Sequence, residues 1–334
     1  MFKKQSIKFL LLIFTFFLFF FKSQTGKPLD QMLVHDPVVI REANTYYLFF
    51  TGKGITVYSS KDLKNWKEEK PVFDEAPKWA KEAAPEFDGN IWAPDIIFKN
   101  GKYYLYYSIS SFAKNASAIG VATNVTLDPK NPKFKWEDQG IVVQSVPNRD
   151  RWNAIDPNIV FDKNNNAYMA FGSFWDGLKM VDLQDNLTKL KQPEKWYTIA
   201  KRERSFNLDD TDPGDAAVEA PFIFKKGNYY YLFSSWDLCC RGPKSTYKVV
   251  VGRSENITGP YFDEKGIDMN AGGGTLVIEG NKNWFGAGHN SVYTFDGKDY
   301  MFFHAYEAAK NGFPVGQIRE IIWKNGWPTV APLP

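Results

Sequence analysis

Hydrophobic runs recur five times along the chain in one arrangement. A polar or charged residue, usually with a proline within two positions, precedes a hydrophobic run, a turn and an aromatic-rich run ending in Ser, Thr, Gly or His. Short runs rich in β-branched and aromatic residues and bounded by turns predict β-strands. The units begin at His35-Asp36-Pro37, Trp92-Ala-Pro94, Ile155-Asp156-Pro157, Glu219-Ala-Pro221 and Gly288-His289-Asn290.

The spacing of these units predicts the fold. From Asp36, the steps to Asp95, Asp156, Glu219 and His289 are 59, 61, 63 and 70 residues. This spacing is wide enough for one four-stranded sheet per unit and is typical of propeller blades. We therefore predict an all-β fold, a five-bladed β-propeller with a four-stranded antiparallel sheet in each blade.

The segment 24–334 shows no linker or shift in composition, so we predict that it forms one propeller domain. Further strand-like runs follow the first two in the units, for example at 54–60, 118–123 and 247–254. The best helical candidate is the segment 77–87, which Pro85 limits to a short helix.

Residues 1–23 have the pattern of a signal peptide. A basic start is followed by an apolar run from Phe9 to Phe21, interrupted only by Thr15. This run is shorter than the ~20 residues that a membrane-spanning helix needs. We predict that the segment is cleaved and that the mature protein is secreted or periplasmic, with no membrane attachment. An uncleaved N-terminal anchor is the alternative.

Charge and composition narrow the possible partners. Removing residues 1–23 leaves 37 Lys and Arg against 38 Asp and Glu, a formal charge of −1 instead of +3. A nearly neutral protein lacks the basic surface that nucleic acid or an anionic membrane requires, so we predict neither partner. Aromatic residues make up 17% of the chain. Strands account for part of this content, and sugar-stacking surfaces are a second interpretation.

The chain has only two cysteines, Cys239 and Cys240, and they are adjacent. Neighbouring Cα atoms lie ~3.8 Å apart, below the ~4.4–6.8 Å usual for disulfides. A bond between the two would require strain, so we predict two thiols.

Polar residues at the start of the units indicate where chemistry takes place. The innermost strands of a propeller surround its central channel, so these positions should converge. Asp36, Asp156, Glu219 and His289 occupy four of the five positions. Buried carboxylates that lie close together raise one another's pKa, which is costly unless the group has a use. The alternative is that Asp before Pro serves only turn formation. Asp95 follows its proline and is predicted to be structural.

Several motifs together resemble glycoside hydrolase family 43, and specifically its endo-1,5-α-L-arabinanases. The resemblance covers about residues 31–328 in colinear order and implies a five-bladed propeller. The motifs are Val34-His-Asp36-Pro, Ile91-Trp-Ala-Pro-Asp95, Asn153-Ala-Ile-Asp156-Pro-Asn158, Phe171-Gly-Ser-Phe-Trp175, Val218-Glu219-Ala-Pro221, Cys239-Cys-Arg-Gly242 and Gly286-Ala-Gly-His289-Asn-Ser291.

The resemblance implies an inverting hydrolase that cleaves internal bonds of arabinan. Asp36 matches the general base that activates water, Glu219 the general acid, and Asp156 a third carboxylate that tunes and orients the acid. Inversion requires the base and acid carboxyl groups to stand ~6.5–9.5 Å apart so that water fits between them.

The resemblance also implies a metal ion, usually calcium, on the propeller axis beside His289. One imidazole is an atypical calcium ligand, because calcium prefers several protein oxygens. We therefore predict an ion coordinated mostly by water that acts electrostatically. A histidine satisfied by ordinary hydrogen bonds is the alternative.

Substrate contacts are predicted on the same basis, as aromatic faces for arabinofuranose rings and as polar or shape-determining groups. The residues are His35, Trp92, Phe112, Asn153, Ile155, Ser173, Phe174 and Trp175. The arabinanases often have glycine where this chain has Ala113, so the adjoining subsite or loop is expected to differ.

The predicted partner is cell-wall arabinan or arabino-oligosaccharide, bound by a monomer. Two other functions stay open: an exo-acting arabinofuranosidase or β-xylosidase of the same family, and a non-catalytic sugar-binding propeller.

Overall fold

The computed structural model describes residues 26–334, and its strands form a five-bladed β-propeller, as predicted. Each blade is an antiparallel sheet that runs outward from the axis. The first strands of neighbouring blades contact one another in a closed ring. The predicted signal peptide, residues 1–23, lies outside the described residues.

The first four blades contain four strands each. Blade 1 has β1 (Val38–Glu42), β2 (Thr45–Phe50), β4 (Thr56–Ser60) and β5 (Trp66–Glu68), while the short β3 (Gly52–Lys53) pairs with blade 2. Blade 2 has β6 (Asn90–Lys99), β7 (Lys102–Ile109), β8 (Ser117–Asn124) and β9 (Glu137–Ser145). Blade 3 has β10 (Asn158–Phe161), β11 (Ala167–Phe171), β12 (Leu178–Asp182) and β13 (Trp196–Ala200). Blade 4 has β14 (Val218–Lys226), β15 (Tyr229–Trp236), β16 (Lys248–Ser254) and β17 (Thr275–Glu279).

Blade 5 differs from the prediction because its sheet has three strands instead of four. It contains β18 (Trp284–Phe295), β19 (Lys298–Glu307) and β20 (Phe313–Glu320), and a hairpin of β21 (Ile322–Lys324) and β22 (Trp327–Thr329) follows it. The fourth place is taken by the N-terminal segment, where Leu33 forms an isolated antiparallel bridge with Val315. The segment around Leu33 therefore closes the ring against the last blade.

Helical structure is limited in the described chain to short segments. The predicted helix in 77–87 is reduced to α1 (Ala80–Ala83), which ends just before Pro85. The 3-10 turns are Leu29–Gln31, Gly242–Lys244, Met269–Ala271 and Ala308–Lys310. Between residues 26 and 334, no helix has the length and apolar character needed to cross a bilayer.

Apolar side chains pack between the blades and hold them in place. Each of the five blade junctions has its own buried cluster. Phe49 and Leu105 lie between blades 1 and 2, and Phe50 and Phe302 lie between blades 1 and 5. Burying one such side chain contributes about 1.5–3 kcal/mol. The same packing fixes the inner strands that carry the polar residues of the axis.

Candidate active site

A cleft of about 440 Å³ opens at one end of the axis. It is lined by all twelve residues predicted from the sequence to act in catalysis, substrate binding or metal binding. These are His35, Asp36, Trp92, Phe112, Asn153, Ile155, Asp156, Ser173, Phe174, Trp175, Glu219 and His289. The structure therefore brings the whole predicted set together.

A shared backbone conformation marks the start of every inner strand. Asp36, Ala93, Asp156 and Ala220 each precede a proline, and each has a positive φ, between 43° and 60°. His289 has the same conformation, at 49°. Positive φ is uncommon outside glycine, so its recurrence identifies equivalent positions in the five blades.

This positive φ corrects the alignment of the five units. In the count of residues from the sequence, Glu219 and Asp95 took the position that Asp36 has in blade 1. Glu219 lies one residue before the equivalent position in blade 4, and Asp95 lies two residues after it in blade 2. The strand register shifts between Glu219 and Phe222, and likewise between Trp92 and Asp95. Such β-bulges re-aim a side chain, and Glu219 consequently reaches the cleft from a different backbone position.

Hydrogen bonds between consecutive blades fix these positive-φ residues. The hydroxyl of Thr51 accepts the backbone N–H of Ala93 at 2.9 Å. Equivalent bonds occur at three other junctions. The hydroxyl of Ser108 accepts the N–H of Asp156, and the hydroxyl of Ser235 accepts the N–H of His289. Nδ1 of His304 accepts the N–H of Asp36. Each second strand therefore holds the first strand of the next blade, and the last of these bonds returns to blade 1.

Blade 3 is the exception, because Gly172 stands where the other blades carry the accepting side chain. Its φ of +126° favours glycine, and an added Cβ would approach the backbone oxygen of Gly177 to 3.2 Å. The N–H of Ala220 is accepted instead by Oδ2 of Asp156, at 3.1 Å. Asp156 thus both faces the cleft and holds the peptide that follows Glu219.

Asp36 is buried among polar groups from both ends of the chain. Its Oδ2 accepts the hydroxyl of Thr51 at 2.5 Å. The Nδ1 atoms of His35 and His289 lie 2.9 and 3.0 Å from Oδ1, and that of His304 lies 3.7 Å away. The three histidines of the chain therefore surround this one carboxylate.

The histidines and carboxylates around Asp36 decide its protonation. Burial raises the pKa of Asp36, but His289 and His35 outweigh it and hold this pKa well below its usual range. Burial lowers the pKa of His289, but the carboxylates of Asp36 and Asp156 outweigh burial and raise the pKa of His289 to about 9. Asp36 is consequently ionised at neutral pH and can accept a proton.

The pKa of Asp156 is shifted in the opposite direction to that of Asp36. Burial, with the charges of Glu219 and Asp36, raises its pKa to about 8, although His289 opposes the change. The two neighbouring carboxyl groups thus differ in protonation, with Asp36 ionised and Asp156 able to carry a proton. Separation of pKa values between acidic groups of one cleft is the arrangement that acid–base chemistry uses.

Glu219 is held by two hydroxyl groups. Ser173 donates to Oε2 and Tyr247 donates to Oε1, both at 2.7 Å. Tyr247 packs so closely on the strand of blade 5 that a Cβ at Gly288 would lie 2.0 Å from its ring. Glycine at that position therefore allows Tyr247 to reach Glu219.

Asp95 lies outside the cleft, as predicted for a structural residue. Its Oδ2 accepts the backbone N–H of Ile159 at 2.6 Å and the side-chain amide of Asn158 at 3.3 Å. Burial outweighs these bonds and raises its pKa to about 7. Asp95 connects the inner strands of blades 2 and 3.

The predicted substrate-binding residues differ in exposure and in whether their polar groups already have protein partners. Phe112 is 66% exposed, whereas Trp175 is 2% exposed and donates its indole N–H to the backbone oxygen of Asp210. The hydroxyl of Ser173 is directed to Glu219. Asn153 binds the backbone oxygen of Lys114 through its amide nitrogen, and its buried Oδ1 has no protein partner. Phe112 therefore offers an open aromatic face, and Asn153 offers an unpaired acceptor oxygen.

The prediction of two thiols was wrong. Cys239 and Cys240 form a disulfide, and both line the cleft. The Cα atoms lie 3.8 Å apart, the spacing that made the bond unfavourable in the sequence, and Cys240 has a positive φ of 64°.

Several residues of the site were not identified from the sequence. Tyr247 and Tyr306 contact the site through their hydroxyl groups, and Thr51 binds Asp36 directly. Thr51 and His304 stand at the ends of the aromatic-rich runs that define the units. Their position in the repeat was therefore a usable signal, whereas Tyr247 has no comparable pattern.

The predicted ion has few protein ligands available. The one three-residue group with metal-binding atoms among residues 26–334 consists of His35, Asp36 and His304, without His289. The Nδ1 of His304 already accepts the N–H of Asp36. Calcium prefers six to eight oxygens, so the side chains around His289 fit such an ion only if water supplies most ligands.

Two curated proteins are similar to almost the whole chain. The extracellular exo-α-(1→5)-L-arabinofuranosidase of Cellvibrio japonicus is 57% identical over 301 residues, covering 90% of this chain and 87% of the relative. The extracellular endo-α-(1→5)-L-arabinanase 1 of Bacillus subtilis is 40% identical, covering 89% and 87%.

The fold has a close counterpart among solved structures. The α-L-arabinanase of Cellvibrio cellulosa complexed with arabinohexaose superposes with a TM-score of 0.89 at 56% identity, covering 90% of this chain and 96% of the other. The family model for glycosyl hydrolases family 43 matches residues 25–328. The chain therefore belongs to glycosyl hydrolases family 43 and is a glycosidase of its arabinan-degrading group.

Proposed function

We propose that the protein hydrolyses α-1,5-linked L-arabinan in the axial cleft, with inversion at the anomeric carbon. The observation that carries this proposal is the convergence of Asp36, Asp156 and Glu219, from three different blades, on one 440 Å³ cleft. The names of the relatives supply the substrate class. A sugar-binding propeller without activity has no need for acidic groups in opposite protonation states.

In this proposal Asp36 is the general base. Its depressed pKa, caused by His289 and His35 against the effect of burial, keeps it ionised to take a proton from water. Thr51, His35 and His289 limit the rotation of its carboxylate. The attacking water therefore meets an oriented acceptor, which is how positioned groups lower a barrier.

Glu219 is the general acid and gives its proton to the leaving sugar oxygen. The hydroxyls of Ser173 and Tyr247 hold the two carboxyl oxygens. Burial, with the charges of Glu219, Asp156 and Asp36, raises the pKa of Tyr247 well above its usual range, so its hydroxyl stays a donor. Asp156 is a positioning residue, because it holds the N–H of Ala220 and thus the backbone beside Glu219.

For the mode of attack we propose exo cleavage from a chain end, in place of the endo cleavage expected from the sequence motifs. The exo-acting relative is 57% identical to this chain and the endo-acting relative 40% identical. Endo cleavage is the second candidate, which the latter relative supports.

Product analysis on linear α-1,5-arabinan tests both parts of the proposal. Exo cleavage releases one short product from the first minutes while viscosity falls slowly. A ladder of oligosaccharides with a rapid fall in viscosity would favour endo cleavage, and release from aryl β-xyloside alone would indicate a xylosidase. No release from any of these substrates would contradict the proposal. Proton NMR of the first product distinguishes inversion from retention.

Location and the ion complete the proposal. Both relatives are named extracellular, and with the signal-peptide pattern of residues 1–23 this supports export of the mature protein. His289 would hold a divalent ion in its neutral form, after losing one ring proton, and the ion would then supply the positive charge beside Asp36 and Asp156.

A further inference from the structure

A closed circuit of hydrogen bonds and one further polar contact begins and ends at Asp36. The backbone N–H of Asp36 donates to Nδ1 of His304 at 3.2 Å. That nitrogen is therefore an acceptor, and since burial lowers the pKa of His304 well below its usual range, the ring is neutral. The one ring proton of His304 must lie on Nε2, which is 3.1 Å from the hydroxyl oxygen of Tyr306.

The hydroxyl of Tyr306 is the next member of the circuit. Its oxygen accepts the N–H of His304 Nε2 and also the backbone N–H of Cys240, at 2.8 Å. Both lone pairs are thus occupied. The remaining hydroxyl proton is directed to a third partner, Nε2 of His35 at 3.0 Å. The sulfur of Cys240 is a more distant alternative, at 3.9 Å.

His35 completes the circuit. Because Nε2 of His35 accepts from Tyr306, that nitrogen carries no proton and the ring proton lies on Nδ1. That nitrogen lies 2.9 Å from Oδ1 of Asp36, in a bent contact rather than a straight hydrogen bond. With the proton there the contact is attractive. In the other tautomer two lone pairs would meet, and the carboxylate would turn away.

We propose that Tyr306 is a positioning residue for Asp36, which fixes the tautomer of His35 so that its Nδ1–H faces the carboxylate. Tyr306 is 2% exposed and does not line the cleft. It therefore acts without touching substrate. The inference rests on the proposed role of Asp36 as base, but the tautomers that it assigns can be measured without any activity.

The first test is nitrogen NMR of the intact enzyme labelled with ¹⁵N-histidine. The chain has three histidines, so the spectra are simple. At pH 8 we expect His35 protonated on Nδ1 and His304 on Nε2, each identified by loss of its signals in His35→Asn and His304→Asn. The opposite tautomer at either residue, or a doubly protonated His35, would overturn the proposal even if arabinan is cleaved.

The second test is a double-mutant cycle on arabinan. Tyr306→Phe should lower kcat about tenfold and change KM less than twofold. In His35→Asn the side-chain amide nitrogen replaces Nδ1 and donates without a choice of tautomer, so adding Tyr306→Phe should cause no further loss. A tenfold loss in that background as well would mean that Tyr306 serves only packing.

A matched control is Tyr261→Phe. Tyr261 is also buried, and its hydroxyl donates to the backbone oxygen of Ile257, remote from the cleft. We expect its kcat and the histidine spectra to equal those of the parent. If Tyr261→Phe lowered kcat as Tyr306→Phe does, the loss would reflect removal of any buried hydroxyl, and the proposal would fail. A parent without arabinan hydrolysis would overturn the proposed function and leave the NMR test intact.

Discussion

Oδ2 of Asp156 accepts the backbone N–H of Ala220, which directly follows Glu219. The carboxylate occupies the place that a hydroxyl or imidazole side chain fills in the other four blades. Asp156 therefore combines two tasks, holding a peptide and placing an acidic group beside the other carboxylates, and substitution can separate them.

Asp156→Asn keeps an acceptor oxygen, whereas Asp156→Ala removes it. We expect the Asn variant to unfold near the parental temperature with kcat lowered at least tenfold. The Ala variant should also lose about 1–3 kcal/mol of stability, because a buried N–H is left without a partner. Thermal unfolding and kcat on arabinan check this, and equal stability of the two variants would mean that the Ala220 bond contributes little.

Removal of the proposed acid should depend on the leaving group. Glu219→Ala should lower activity on arabinan about 10²–10⁴-fold, because protonation by a positioned side chain contributes that much. An aryl arabinofuranoside with a good leaving group should lose less than about tenfold. Asp36→Ala is the matched comparison and should lower activity on both substrates to the same extent. If Glu219→Ala impairs both equally, the acid has been assigned to the wrong residue.

The buried carboxyl of Asp95 should make stability depend on pH. Burial raises its pKa from 3.8 to about 7, so the folded state binds more protons than the unfolded state between these values. Its contribution is present below pH 3.8 and lost as pH rises through 7, at most roughly 4 kcal/mol.

Asp95→Asn tests this directly, because both the N–H of Ile159 and the amide of Asn158 donate to a single oxygen that asparagine retains. We expect the variant to become more stable relative to the parent as pH rises from 4 to 8, with unchanged kcat. Chemical denaturation at several pH values measures the difference. A constant difference across this range would show that Asp95 is already ionised when folded at pH 4.

His289→Ala should leave the fold intact and lower kcat about tenfold, a loss typical of groups that orient a site. Removing His289 also removes a positive charge that lowers the pKa of Asp36, so the acid limb of the pH–rate profile should move to higher pH. Chelation of the parent should reproduce the loss if an ion binds here, and chelation of the variant should add nothing. Unchanged activity in both cases would exclude His289 from the mechanism.

The sequence was sufficient to predict the number of blades and the meeting of Asp36, Asp156 and Glu219. Each inner strand carries its polar group at nearly the same point of a repeat, and a propeller brings equivalent points to one axis. The predicted repeat placed Glu219 at the equivalent position of blade 4, one residue too early, because counting residues cannot detect a β-bulge. Alignment on Pro37, Pro94, Pro157 and Pro221 would have found the correct positions.

The parts that escaped prediction depend on backbone conformation and on tertiary contacts. The disulfide of Cys239 and Cys240 accompanies a positive φ at Cys240 that the spacing of the two residues does not reveal. Tyr247 contributes through a side chain that reaches across to Glu219, past Gly288 of another blade. The contact of Tyr247 with Glu219 has no local sequence pattern, because it joins two segments of blade 4 and depends on packing against blade 5.

The bond from Asp36 to His304 spans 268 residues, so the proposed base is assembled from the first and the last blade. During synthesis Asp36 leaves the ribosome when most of the chain is still untranslated, and two of its partners, His289 and His304, arrive only with the C-terminal blade. Contacts of such long range form late, after chain entropy has been lost. A nascent chain ending before β19 would possess both Asp156 and Glu219, but the backbone N–H of Asp36 would lack its bond to His304. Catalytic competence should therefore appear in one step, when the two ends of the polypeptide meet.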